Sequence, residues 1–445
     1  MSAHSKVHWT KAERSSISAI AVARAFCQPP RVEKRSSQPS VWRLQHLLYL
    51  LASLPFVLFA ALWFFGAFNQ PSPKPAPSPK PSASASPQNH EAAKPVTSTD
   101  PAQRVDTAPH HPPGKNAADF YKQAYGLYKA LNLTDEEKQM LRDRNGKWDK
   151  EKAKALFEKI QPVVEMMRQA EDTAYADWGI QFKTFSDRFP QLVPATDLSR
   201  LMTWNAAYEF PSTPAQALSD LRIQTQLGNS VGNDAIIGLI VNSATSALAI
   251  DTLRSNAAYI SSETYSQALA MIQDSDWLKN LSSAMNLESK VVNETADSLE
   301  QGKMNPSNPL FANYQQLPSA EMVAQMRWVA DVETDFSQKA QLPDAEFESW
   351  WKGIQQAISG KPVAQDTLPI LSTIRTRILY SGVQTTMLQA GLSILQNGDS
   401  ALATYPDPTT KQPFTLVPTA DGFELQSTFQ YHGKPVTMPF STPKP

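Results

Sequence analysis

An all-α body behind one membrane span and a Pro-rich linker, closed by a small C-terminal β-hairpin, is the fold class the sequence predicts. Three observations carry it. Residues 47–68 form an uncharged apolar run of about 22 residues, enough at 1.5 Å each to cross a bilayer core of roughly 30 Å. From 116 to 405 apolar residues recur at helical spacing, and after 406 the pattern changes to alternation at period two.

Residues 1–46 are Ser- and Arg-rich with little periodicity, and read as a disordered tail. Eight Lys and Arg residues here face only Glu13 and Glu33, whereas the rest of the chain is acidic, an asymmetry hidden by the overall charge of −1. The positive-inside rule therefore places the tail in the cytoplasm and the remainder outside. Trp42 and Trp63 fall near the two interfaces, and Pro55 is tolerable in a bilayer helix. A cleaved signal peptide is the rival, but the run exceeds the usual apolar length and no small-x-small site follows directly, Ala83-Ser84-Ala85 lying further on. The expectation is an uncleaved signal anchor. Cys27, the one cysteine, supports neither a disulfide nor a zinc site.

Residues 69–115, with the run PSPKPAPSPKPSASASP, favour extended polyproline geometry and a disordered linker that holds the distal body away from the membrane. A basic tail, one span and a Pro/Lys-rich extension resemble the energy-transducing envelope proteins of the TonB type over about the first quarter of the chain. The resemblance implies a periplasm-spanning tether. A cysteine-free ectodomain fits a bacterial periplasm, with the anchor in the inner membrane. Asn132, Asn280 and Asn293 lie in sequons that matter only in a glycosylating compartment.

The helical region, 116–405, begins at Asn116 with Phe120, Ala124, Leu127 and Leu131 on one face. Thr134 and Glu137 form a capping box for the next helix. A helix over 151–170 follows, with Pro162 as a kink or break. Further helices are expected near 197–209, 214–227, 233–257, 263–273, 277–300, 319–338, 344–358 and 366–396. A subdomain boundary is expected at the Pro-rich stretch 302–318. The segment 233–257 is apolar nearly all round yet carries Asn233, Asp234, Asn242 and Asp251, which marks a central buried helix rather than a second span. Residues 218–228 and 388–398 resemble each other, but no constant repeat period emerges.

Residues 406–445 alternate on either side of Asp421-Gly422, the signature of a hairpin. Asp407-Pro408, Thr410, Pro413 and Phe414, with Asp421-Gly422-Phe423, Leu425 and Ser427, resemble the closing DPxTGxP and DGxxLxS hairpin of membrane-anchored helical proteins of planctomycete-type bacteria. The opening helix after Asn116 is also similar to theirs. Lys411 stands where that pattern has glycine, and the acidic, Gly-rich ending is missing. The resemblance implies the architecture and brings no assigned activity.

Between Asn116 and Tyr431 there is no histidine and no cysteine, which excludes a Ser-His-Asp or Cys-His triad, Cys/His zinc sites and the Glu-x-x-His di-iron signature there. No cofactor or metal site is expected; His110-His111 reads as linker polarity. Carboxylates are the remaining catalytic option. Asp331 and Asp335 share a helix face with Glu333 between them, and Glu171, Asp172 and Asp177 form a looser cluster; such acids more often make a solvated face. An EF-hand fails because Phe336 and Leu342 occupy the glycine and bidentate glutamate positions. Ser349-Trp350-Trp351-Lys352 fits Ser-x-x-Lys without its companion Lys-Thr-Gly, and one of its tryptophans is expected in the core and the other at the surface. Gly228 and Gly232 lack the lysine of a phosphate loop, and no basic patch with interleaved aromatics points to nucleic acid. The expected function is a non-catalytic envelope scaffold or adaptor with a protein partner. The alternatives are a carboxylate-dependent hydrolase of cell-wall glycan and an accessory subunit of a secretion or pilus machine.

Overall fold

The computed structural model describes residues 114–143, 148–173, 175–179, 189–231, 235–272, 276–306 and 309–441. The tail 1–46, the apolar run 47–68, Cys27, His110, His111 and nearly all of the linker lie outside the described residues.

Among the described residues, twelve α-helices and a three-stranded antiparallel sheet make up the body. Asn116 opens α1 (Ala117–Ala130) by accepting from the Ala118 N–H, and its amide reaches the Asp177 carbonyl at 2.7 Å. The buried face of α1 runs through Ala117, Ala118, Tyr121 and Ala124, so Phe120, Leu127 and Leu131 sit at its half-buried margin rather than at its centre. Thr134 and Glu137 form the expected capping box of α2 (Asp135–Met140). The expected break at Pro162 is absent: α3 (Lys150–Arg168) runs through it. Burial of Leu156, Ile160, Val163, Val164 and Met167 outweighs the ~3 kcal/mol proline cost, and the Gln161 amide donates to the Phe157 carbonyl at 3.1 Å.

Next come α4 (Leu192–Glu209), α5 (Pro214–Ser230), α6 (Ile236–Ser255), α7 (Ser262–Met271), α8 (Trp277–Glu300), α9 (Ser319–Lys339) and α10 (Asp344–Ala357). The helix expected over 366–396 is α12 (Ile370–Asn397), and a short α11 (Pro362–Thr367) precedes it, set apart by Pro369, which has no N–H to donate. Residues 302–318 connect α8 to α9, and both helices feed one apolar cluster.

Three apolar clusters organise the packing. The first joins α1, α3, α4 and α5 around Tyr121, Ile160, Leu198 and Ile223. The second joins α8, α9, α10 and the first half of α12 around Phe336, Phe347 and Trp351. The third gathers α5, the C-terminal half of α6, α7 and the rest of α12 beneath the sheet. Helix α6 contributes to all three through Val241, Leu239 and Leu253. Among the described residues it is the one helix long and apolar enough to cross a membrane. Its polar residues have protein partners: Asn242 donates to Asn229 at 3.0 Å, Ser243 bonds Ser381 at 2.7 Å, and the Thr245 carbonyl accepts from Gln224 at 2.8 Å. Lipid would offer none of these, and α6 is the central buried helix of the body. Gly228 makes the α5–α6 crossing this close, because a Cβ there would lie 2.4 Å from Thr245 Oγ1. Close helix packing is the role of Gly228 here; Gly232, Asn233 and Asp234 lie outside the described residues.

The sheet runs β1 (Thr415–Thr419), β2 (Gly422–Tyr431) and β3 (Lys434–Ser441), one strand more than the expected hairpin. His432 and Gly433, at φ 52° and 73°, supply the two positive-φ residues of the tight β2–β3 turn. The quoted closing motif has a folding role. Asp407, 2% exposed, accepts from Thr409 N–H at 2.8 Å, Thr409 Oγ1 at 2.6 Å and the Ser427 hydroxyl. Ser427 in turn accepts from Phe429 N–H at 2.9 Å, within the register shift between β2 and β3. Lys411 adopts φ 60°, the left-handed region. Lys411→Gly is therefore expected to stabilise the protein by about 0.5–1 kcal/mol, since an L-residue there costs ~1–2 kcal/mol and glycine returns part of that as chain entropy. A denaturant midpoint that does not rise would contradict this.

Candidate functional site

Helix α9 splits its three acids. Asp331 and Asp335 are exposed on the solvent face, as their shared spacing predicts, whereas Glu333 points inward and is 3% exposed. Phe336, at the glycine position of an EF-hand loop, is fully buried. The second acidic cluster is not one site. Glu171 pairs with Arg222 and Ser219 on α5, Asp172 is exposed, and Asp177 accepts from Gly179 N–H at 2.7 Å. Ser349 and Lys352 are both exposed on α10. Of its tryptophans, Trp351 is core at 2% exposure and Trp350 is half-buried, the division that helical geometry predicts.

Two buried acid groups escape sequence inspection because their members are far apart. Arg168, at the end of α3, makes a two-pronged contact with Asp220 of α5 at 2.8 Å through Nε and 2.8 Å through Nη2. The same guanidinium reaches Glu209 of α4 at 3.1 Å and Glu165 at 2.8 Å. Asn205 and Gln216 donate to Asp220 at 2.7 and 3.2 Å, so this fully buried carboxylate is saturated. Burial, with the Asp220 charge beside it, pushes Glu209 up to about 7. The other group is Glu288 of α8 with Glu333 of α9. Burial raises Glu288 to about 7, and burial with the Glu288 charge holds Glu333 well above the carboxylate range. Among the described residues no three His, Cys, Asp or Glu side chains are placed to hold a metal ion.

Two concave regions stand out. One lies between the end of α2, α4 and the end of α6, where Trp148 packs on Trp204 with ring centroids 5.1 Å apart, flanked by Arg142, Arg200 and Asn256. It encloses about 30 Å³, far below the roughly 300–1,000 Å³ of small-molecule sites. The other is a shallow groove along α10, mostly open to solvent and lined by Trp350, Leu342, Ala345, Ser349, Lys339 and Glu346. Trp350 is held by Phe336 and Phe347, centroids 6.1 and 5.7 Å away, which fixes its ring. Helical spacing implies that one tryptophan of the pair is exposed without choosing between them, and the groove also needs Lys339 and Leu342, brought in by the turn at Pro343. Val193, 60% exposed, is the one large apolar side chain with broad exposure among the described residues.

No protein-family model matches the chain, and neither curated proteins nor solved structures show a match.

Proposed function

We propose that the chain is a single-pass envelope protein that tethers a non-catalytic helical binding module on the outer side of the bacterial cytoplasmic membrane. The groove beside Trp350 docks a protein partner. The observation that carries this reading is the groove itself: a half-buried tryptophan packed on Phe336 and Phe347, beside Leu342 and between Lys339 and Glu346. Tryptophan in such a setting is the commonest kind of binding hot spot. The run at 47–68 and the basic tail support the anchor, and the Pro-rich linker supports the tether. The resemblance to planctomycete-type membrane-anchored helical proteins agrees with this architecture.

The acids support the non-catalytic side. Asp331 and Asp335 are solvated, and the buried pairs are packed between helices away from either concave region. A crosslinked pull-down of the full-length protein from its own membranes tests the proposal. A stoichiometric protein partner is expected, lost by tenfold or more on Trp350→Ala, a hot-spot effect of about 1.4 kcal/mol or more, and kept when Asp331 and Asp335 are both replaced by alanine. Recovery of wall glycan fragments, dependent on those acids, would favour the hydrolase instead. Inner-membrane secretion machinery as the partner would assign the module to that apparatus.

A further inference from the structure

Glu288 and Glu333 are drawn together by the register of the α8–α9 hairpin. Ser289 Oγ bonds Thr334 Oγ1 at 2.7 Å and the Ala330 carbonyl at 2.8 Å, and Ser337 Oγ donates to Asn286 Oδ1 at 2.9 Å. These rungs straddle both acids. Glu333 is 3% exposed, and its Oε2 has no hydrogen-bond partner. Glu288 is half-buried and accepts from the Ile236 N–H at 3.3 Å, in the first turn of α6, where Ala235 has no side chain with which to cap the helix. The surrounding charges are committed elsewhere. Lys290, Asp331 and Asp335 lie on the solvent faces of α8 and α9. Asp366 of α11 accepts from the Tyr314 hydroxyl at 3.0 Å. On α12, Arg375 is bound to the Ala340 and Leu342 carbonyls and to Asp344, and Arg377 lies with Asp251 beside Tyr380.

We propose that Glu288 and Glu333 form a protonation latch, released as the pair loses its protons, that ties the α8–α9 hairpin to the N-terminus of α6. With the pair protonated, Glu333 is a neutral acid inside the seam and Glu288 lies uncharged against the Ile236 N–H in the first turn of α6; loss of that state begins at Glu288. Once both protons are lost, two like charges share a buried seam served by one N–H, an arrangement that a low-dielectric interior penalises heavily. The sign follows from both groups being raised. Their contribution to stability is complete below the unfolded value of ~4.3 and is lost as pH rises through the folded values, the first of which is about 7 for Glu288. The seam is thus tight in mild acid and loosens in alkali, whatever the body binds.

Amide hydrogen exchange of the full-length protein in bilayer discs, corrected for intrinsic rates, reads this directly. Opening of α8, α9 and the first turn of α6 is expected to rise roughly tenfold per pH unit between ~5 and ~7. Glu333→Gln, which keeps the shape and removes the proton, is expected to flatten that dependence. A wild-type profile without pH dependence there, or an unchanged slope in Glu333→Gln, overturns the latch. Infrared spectroscopy of the wild type covers the case in which that variant does not fold. A protonated carboxylic acid band at neutral pH, shielded from rapid exchange, supports the proposal, and its absence overturns it.

Discussion

Gly391→Ala is expected to unseat the C-terminal sheet and to destabilise the protein by about 2–4 kcal/mol. A Cβ at this position of α12 would lie 2.0 Å from Phe440 Cζ, and the neighbouring ring atoms are at 2.2 and 2.5 Å. Phe440 has no room to retreat, being 2% exposed and stacked on Phe423 at 5.2 Å. The ring must leave its seat, forfeiting much of the ~3–5 kcal/mol a buried phenylalanine contributes, or α12 must move away. Alanine's better helix propensity returns only ~1 kcal/mol. Gly126→Ala in α1 isolates that smaller term, since nothing lies within 4 Å of its Cβ position, and should stabilise slightly. Denaturant unfolding of both variants, with Phe440→Ala added to Gly391→Ala, checks the mechanism. The second change should cost much less in the Gly391→Ala background than in the wild type, because the seat is already lost.

Arg168→Met is expected to cost about 3–5 kcal/mol at neutral pH, since it leaves Asp220 and Glu209 as buried like charges without a cation. Methionine keeps most of the apolar stem, so the loss reports charge rather than packing. The pH dependence separates this from simple core damage. Glu209, already raised to about 7 by burial and the Asp220 charge, is pushed further up without the guanidinium, so the variant regains stability as pH falls towards the ordinary carboxylate range and loses it as pH rises. A deficit equal at pH ~5 and ~8 would contradict the assignment of these acids to one coupled site.

The helices were legible where their signals are local. Asn116, the Thr134–Glu137 box and the limits of α8 stand in the sequence because caps and periodicity depend on residues a few positions apart. Strand β3 was hidden by Pro435 and Pro439, which weaken a strand reading although Val436, Met438 and Phe440 alternate inward. Pro162 and Pro369 show the limit of proline as a signal: packing of α3 overrode the first, and the second divides α11 from α12. Among the acids, Asp331 and Asp335 stand out in the sequence because they lie one turn apart. Glu333 belongs to a different stripe, with Val329, Ala330 and Phe336 around it, and that apolar company was the available sign of its burial. Nothing local could pair it with Glu288, or Arg168 with Asp220, because loop geometry sets those meetings.

The central claim is that the Trp350 groove is where the tethered body meets a protein partner. A photoactivatable residue placed in turn at Ala345, on the groove, and at Asp331, on the solvent face of α9, tests this in living cells. One discrete crosslinked protein band is expected from position 345 and none from 331. Crosslinks from 331 alone, or equal diffuse labelling from both, would contradict it.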